Sequence, residues 1–140
     1  MQYKEHSRLK SNALVCEVDD NESTLTELLL QIREWVEKLG WTQYHRPSAL
    51  AVSAAIEMGE LLELFQWRTE EEMAKIIDTP EFHQRLSEEI ADVMIYLLRL
   101  ADVTSINPTE AIREKMKKNE EKYPSDKWHG KRPGRSSSFD

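Results

Sequence analysis

Residues 56–67 read IEMGELLELFQW. Leu, Ile, Met, Phe and Trp make up most of the stretch, yet Glu57, Glu60 and Glu63 recur in it at every third position. Glutamate is almost never fully buried unless it is paired or coordinates a metal. At about 100° per residue, Glu57 and Glu60 lie roughly 60° apart on one helical face, and Glu63 drifts another ~60° toward the side of Ile56. Leu50, Leu61 and Leu64 surround the first pair on the same wheel, so these acids belong to a face turned from solvent. A second pair with the same spacing, Glu89 and Asp92, occurs in SEEIADVMIYLL (87–98), with Tyr96 one turn further on. That pair borders an apolar stripe made by Leu86, Ile90, Val93, Leu97 and Leu100.

The rest of the chain reads as helices around these two. Leu25, Leu28, Leu29, Ile32, Val36 and Leu39 follow helical spacing, with Thr24 and Glu27 as a capping box and Gly40 as a stop. WTQYHRP (41–47) reads as a loop, and the glutamate-bearing helix is expected from about Ser48 to Trp67. A polar connector (69–79), with room for a helical turn, leads to Thr79-Pro80, an N-cap followed by proline at the first helical position. The third helix is expected from about Glu81 to Thr104. Asn107-Pro108-Thr109-Glu110 opens a fourth, which runs to about Lys122 and is ended by Pro124. No stretch alternates with period two. The fold class is therefore all-α, a four-helix bundle.

The chain has 140 residues, 39% hydrophobic and 32% charged, which suits one helical domain. Residues 1–21 show no periodicity and are expected to be disordered or loosely docked, 22–124 to form the domain, and 125–140 a flexible basic tail. The first ten residues have no apolar core of a secretory signal, and no run approaches the ~20 apolar residues of a membrane span. The single Cys16 reads as an ordinary thiol in a reducing compartment, so a cytoplasmic location and no membrane partner are expected. A net charge of −7 argues against a nucleic-acid-binding surface. It also opposes any anionic small substrate unless a metal offsets the local charge.

Four converging carboxylates repel one another, and a hard divalent cation resolves that repulsion: Mg²⁺ by default, with Mn²⁺ suited to the same oxygen donors. A di-iron site wants Glu-x-x-His on two helices, and no His stands three residues after Glu57, Glu60 or Glu89. The plain structural alternative pairs the acids with Arg68, Arg85 or Arg99 at the helix edges. Arg99 and Glu88 read as edge charges within such pairs.

IEMGE, an intervening stretch from Leu61 to Glu88, and then EIAD resemble the metal-binding pattern of the MazG-like all-α nucleoside triphosphate pyrophosphohydrolases. Ile56 departs from it, standing where many members have the first of two adjacent glutamates. GELLELFQW, WTQYHRP, DVMIYLL and KMKKNEEKYP (115–124) narrow the resemblance to the dCTP pyrophosphatase branch. The resemblance covers about residues 24–124. It implies that Glu57, Glu60, Glu89 and Asp92 hold Mg²⁺, and that Trp41, Trp67 and Tyr96 wall a base and sugar pocket with His45 beside it. Lys115, Asn119, Lys122 and Tyr123 match positions near the phosphates. Taken singly, the three aromatic residues fit core packing as well, and His45 fits a structural or exposed loop position.

The activity so implied is Mg²⁺-dependent hydrolysis of a nucleoside triphosphate to the monophosphate and pyrophosphate, with dCTP or a modified dCTP as substrate and nucleotide-pool cleaning as the role. Glu57 or Glu63 would take the proton from water. A homotetramer built as a dimer of dimers is implied too. The competing readings are a non-catalytic helical nucleotide-binding or oligomerisation module, and a phosphoribosyl-ATP pyrophosphohydrolase with the same acid pattern.

Overall fold

The computed structural model describes residues 24–132, which form six helices and no strand. The expectations for residues 1–21, for Cys16 and for the far end of the tail lie outside the described residues. The helices are α1 (Leu25–Lys38), α2 (Pro47–Glu63), α3 (Glu70–Ile76), α4 (Pro80–Val103), α5 (Pro108–Lys122) and the single turn α6 (Ser125–Trp128), with a 3₁₀ turn at Thr42–Tyr44. None is long and apolar enough to cross a membrane.

Local chemistry starts each long helix where the sequence signals it. The Glu27 N–H donates to Thr24 Oγ1 at 3.2 Å while the Thr24 N–H donates to Glu27 Oε2 at 2.8 Å, the reciprocal capping box. Thr79 and Asn107 accept from the N–H groups of Phe82 and Glu110, each ahead of a proline at the first helical position. Gly40, just past the C-cap of α1, has φ +67°, where a side chain is disfavoured. The connector carries more order than expected: Thr69 and Glu72 form a second reciprocal box and open α3.

The main packing is α2 against α4, with α1 laid on α4 and α5 on α1. Leu50 and Val36 are the most deeply buried side chains. A satellite cluster of Leu64, Met73 and Phe82 closes the end where α2, α3 and α4 meet, with Phe65 edge-on to Phe82 at 5.8 Å. This cluster explains a difference from the sequence reading. α2 ends at Glu63, not Trp67. The N–H groups of Leu64 and Phe65 bond back three residues, tightening the turn so that both side chains enter the cluster. Trp67 then takes φ +61° and stands 92% exposed. Neither glycine nor proline marks the break, so nothing local announces it.

The orientation of α4 also differs from the stripe read from sequence. Phe82, Val93, Leu98 and Arg99 are buried, whereas Ile90 and Leu97 are 42% and 50% exposed. The helix is apolar on more than one side, and the side carrying Glu89, Tyr96 and Arg99 is the one turned inward.

Candidate metal centre

The α2–α4 contact brings the acids together. Glu57 and Glu60 from α2 and Glu89 from α4 each place a carboxylate oxygen within 4.8 Å of the other two. Three-residue spacing puts each pair on one helical face, and helix packing supplies the rest. Desolvation raises the Glu57 pKa above the ordinary carboxylate value, and the charges of Glu60, Asp92 and Glu89 push it further in the same direction. Asp92 therefore lies within the electrostatic reach of the cluster, although it is outside the tight group of three.

Among the described residues no cation neutralises this charge. The ion pairs join Arg33 and Arg99 to Asp102, so the edge-pairing alternative with Arg68, Arg85 or Arg99 does not form. Glu89 Oε2 is buried and has no hydrogen-bond partner among the described residues. A buried acceptor without a donor is costly. Carboxylate oxygens converging from two helices, one of them unsatisfied, fit a hard divalent cation such as Mg²⁺.

Beside the acids lies a cavity of about 110 Å³ between α1, the 41–46 connection and α4. Trp41, His45, Asp92, Tyr96 and Arg99 are among its walls, so Asp92 joins the acid cluster to the cavity. Trp41 is held edge-on by Trp35 at 5.6 Å. Arg99 Nε donates to His45 Nδ1 at 3.3 Å. Burial lowers the His45 pKa, and the Arg99 charge lowers it further.

Other residues singled out in the sequence lie apart. Glu63, the last residue of α2, faces an open depression lined by Gly59, Leu62, Phe65 and Gln66. Trp67 does not line the cavity and projects from the turn after α2. Lys115, Asn119 and Lys122 are exposed along α5, which contributes no wall to the cavity. Tyr123 follows α5, where Lys122 Nζ sits 5.1 Å from its ring centre and Trp128 packs edge-on at 5.0 Å.

Sequence reasoning missed the part played by Arg99. It is 5% exposed rather than an edge charge, and it shares Asp102 with Arg33 of α1. Hydrogen bonds from Arg33, with the charges of Arg33 and Arg99 behind them, hold the Asp102 carboxyl below its usual range against an opposing desolvation. Only the i, i+3 spacing of Arg99 and Asp102 hinted at this. Glu88 takes a hydrogen bond from Gln84 at 3.0 Å and joins no ion pair among the described residues.

The model of the MazG-like family matches residues 52–132. The chain is 36% identical over 104 residues to dCTP pyrophosphatase 1 of Homo sapiens, which covers 74% of this chain and 61% of that protein. It is 35% identical over 104 residues to dCTP pyrophosphatase 1 of Bos taurus, at 74% and 62% coverage. The matched region thus spans about three fifths of the length of these curated relatives. The crystal structure of a pyrophosphatase from Archaeoglobus fulgidus superposes with a TM-score of 0.66 at 47% identity, covering 77% of this chain and 99% of that one.

Proposed function

The chain belongs to the MazG-like family, and on that premise we propose that it hydrolyses a nucleoside triphosphate to the monophosphate and pyrophosphate, with dCTP or a modified dCTP as substrate. The observation that carries this reading is the unneutralised meeting of Glu57, Glu60 and Glu89 beside an aromatic cavity. The names of the similar proteins, dCTP pyrophosphatase 1 and a pyrophosphatase, support it.

Glu57, Glu60, Glu89 and Asp92 would hold Mg²⁺, and Mn²⁺ suits the same donors. Bound there, the ion offsets triphosphate charge and makes a water more acidic. The oxygen of water attacks the α-phosphorus, the bond from that phosphorus to the bridging oxygen of the pyrophosphate breaks, and the water's proton passes to a carboxylate. Glu57 or Glu63 would take that proton. Trp41 and Tyr96 offer flat apolar faces to the base. Lys115, Asn119, Lys122, Tyr123 and Trp67 do not line this cavity within one subunit, and in a homo-oligomer they would reach the substrate of a neighbouring subunit.

The exposed apolar side chains support such an assembly. Val52, Ile56, Met58 and Leu62 of α2 and Ile90, Met94 and Leu97 of α4 are all exposed in the single chain, on two helices packed against each other, and a contiguous apolar patch is what an interaction surface presents. A homotetramer arranged as a dimer of dimers fits a chain whose two central helices are apolar on more than one side.

The test is a panel of dCTP, dUTP, dTTP and dATP, with and without Mg²⁺, read by ³¹P NMR. Pyrophosphate with dCMP as products is the expected result. Release of inorganic phosphate and dCDP would overturn the bond assignment. Thermal stabilisation by dCTP with no product would replace catalysis by a nucleotide-binding role.

A further inference from the structure

The cavity is backed by a polar relay that the acid cluster does not use. The Asp102 side chain, 6% exposed near the end of α4, receives Arg33 Nε from α1 at 3.1 Å and the Arg99 guanidinium from its own helix. Arg99 bonds Asp102 through Nη1, which leaves Nε free to reach His45 Nδ1 at 3.3 Å. Three parts of the fold, α1, α4 and the connection before α2, are joined through these four side chains.

The chemistry of each group fixes the protons. A guanidinium in a protein is always charged and only donates. Nδ1 of His45 must therefore accept, and the single imidazole proton lies on Nε2. A second proton, on Nδ1, would break this hydrogen bond and set two cations in contact. Nε2–H has no protein partner among the described residues, and His45 lies in the cavity wall with Trp41, Asp92 and Tyr96.

The geometry points to Arg99, anchored by Asp102 and Arg33, as a positioning residue that locks His45 in the neutral Nε2–H form, so that the cavity presents a hydrogen-bond donor to the acceptor edge of a pyrimidine base. This deepens the nucleotide reading above and rests on it for the ligand. At about 110 Å³ the cavity is of the order of one six-membered ring, a void of ~150 Å³ being enough to accept benzene. Among pyrimidines, cytosine offers adjacent acceptors at O2 and N3, whereas uracil and thymine carry a hydrogen on N3. Facing N3, a fixed donor favours cytosine, because the N3–H of uracil would oppose it, whereas O2 accepts in both bases.

The relay is tested on the full chain labelled with ¹⁵N-histidine, by two-bond ¹H–¹⁵N correlation at neutral pH, in the parent and in Arg99→Lys. The parent should show His45 as the neutral Nε2–H tautomer. Arg99→Lys keeps a cation beside Asp102 but lacks the Nε donor, so the variant should show a tautomer mixture. Its KM for dCTP should rise roughly tenfold, kcat should change far less, and the preference for dCTP over dUTP should fall by a similar factor. His45→Phe should lose the same preference. If Arg99→Lys does not fold, Asp102→Asn loosens the anchor with less change of shape and takes its place in both measurements. An Nδ1–H or doubly protonated His45 in the parent would overturn the relay, as would an Arg99→Lys variant with altered stability but unchanged KM and dCTP preference. A correct tautomer in a protein that turns over no nucleotide would leave the relay standing and remove only the ligand.

Discussion

Replacing Glu89 by Gln removes one charge from the cluster while keeping the side chain's shape. The oxygens of Glu57, Glu60 and Glu89 lie within 4.8 Å of one another. Two full charges at that distance repel by about 3.5 kcal/mol at an effective dielectric of ~20 and by about 0.9 kcal/mol in bulk water. Glu60 is exposed, so solvent and salt screen its share, and Glu57 is half-buried. Losing both contacts should then stabilise the metal-free protein by about 1–2 kcal/mol. The new amide can also donate to a neighbouring carboxylate, where Glu89 Oε2 now has no partner. At about 4 °C per kcal/mol for a domain of this size, Tm in EDTA should rise by about 4–8 °C. Mg²⁺ should act in the opposite sense. The parent should gain about 2.7 kcal/mol at a hundredfold excess over Kd, and the variant, short of one ligand, much less at the same concentration. The assay is thermal unfolding of both proteins at one protein concentration, in EDTA and across a Mg²⁺ series. A variant less stable than the parent in EDTA, or one stabilised equally by Mg²⁺, would refute the argument that these acids are held together against their own repulsion for a cation.

Two further outcomes follow from single residues. The Asp102 pKa is depressed by Arg33 and Arg99, so its contribution to stability is present above the unfolded value near 4 and is lost as pH falls through the folded value. The stability gap between parent and Asp102→Asn in urea unfolding should be widest above about pH 5 and narrow below about pH 4; a gap constant across that range would count against the ion-pair network. Trp67 occupies φ +61° with little burial, a conformation that costs an L-residue roughly 1 kcal/mol or more, so Trp67→Gly should raise stability by up to about 1 kcal/mol. The same variant should raise KM for dCTP if Trp67 completes a neighbouring subunit's site, and a loss of stability would show instead that the indole is packed in the assembled protein.

Much of the fold is legible in the sequence because its signals are local. Thr24 with Glu27, Thr79-Pro80 and Asn107-Pro108 satisfy their own helix ends without help from elsewhere in the chain, so they start helices wherever they stand. The spacing of Glu57 with Glu60, and of Glu89 with Asp92, likewise fixes which acids share a face before any packing is known. Periodicity gives angles between residues, however, and not the rotation of a whole helix toward its neighbours. α4 is apolar on more than one side, and only contact with α1 and α2 turned Glu89, Tyr96 and Arg99 inward and left Ile90 and Leu97 outside. The end of α2 at Glu63 was settled in the same way, by the pull of Leu64 and Phe65 into the cluster with Met73 and Phe82. The Arg33–Asp102–Arg99–His45 relay joins residues from three separate parts of the chain. The sequence determined the helices and the acid pairs, because those depend on near neighbours. Tertiary structure decided which faces meet, and with them the cavity, the buried arginine and the proton on His45, because burial and charge pairing depend on what lies across the gap.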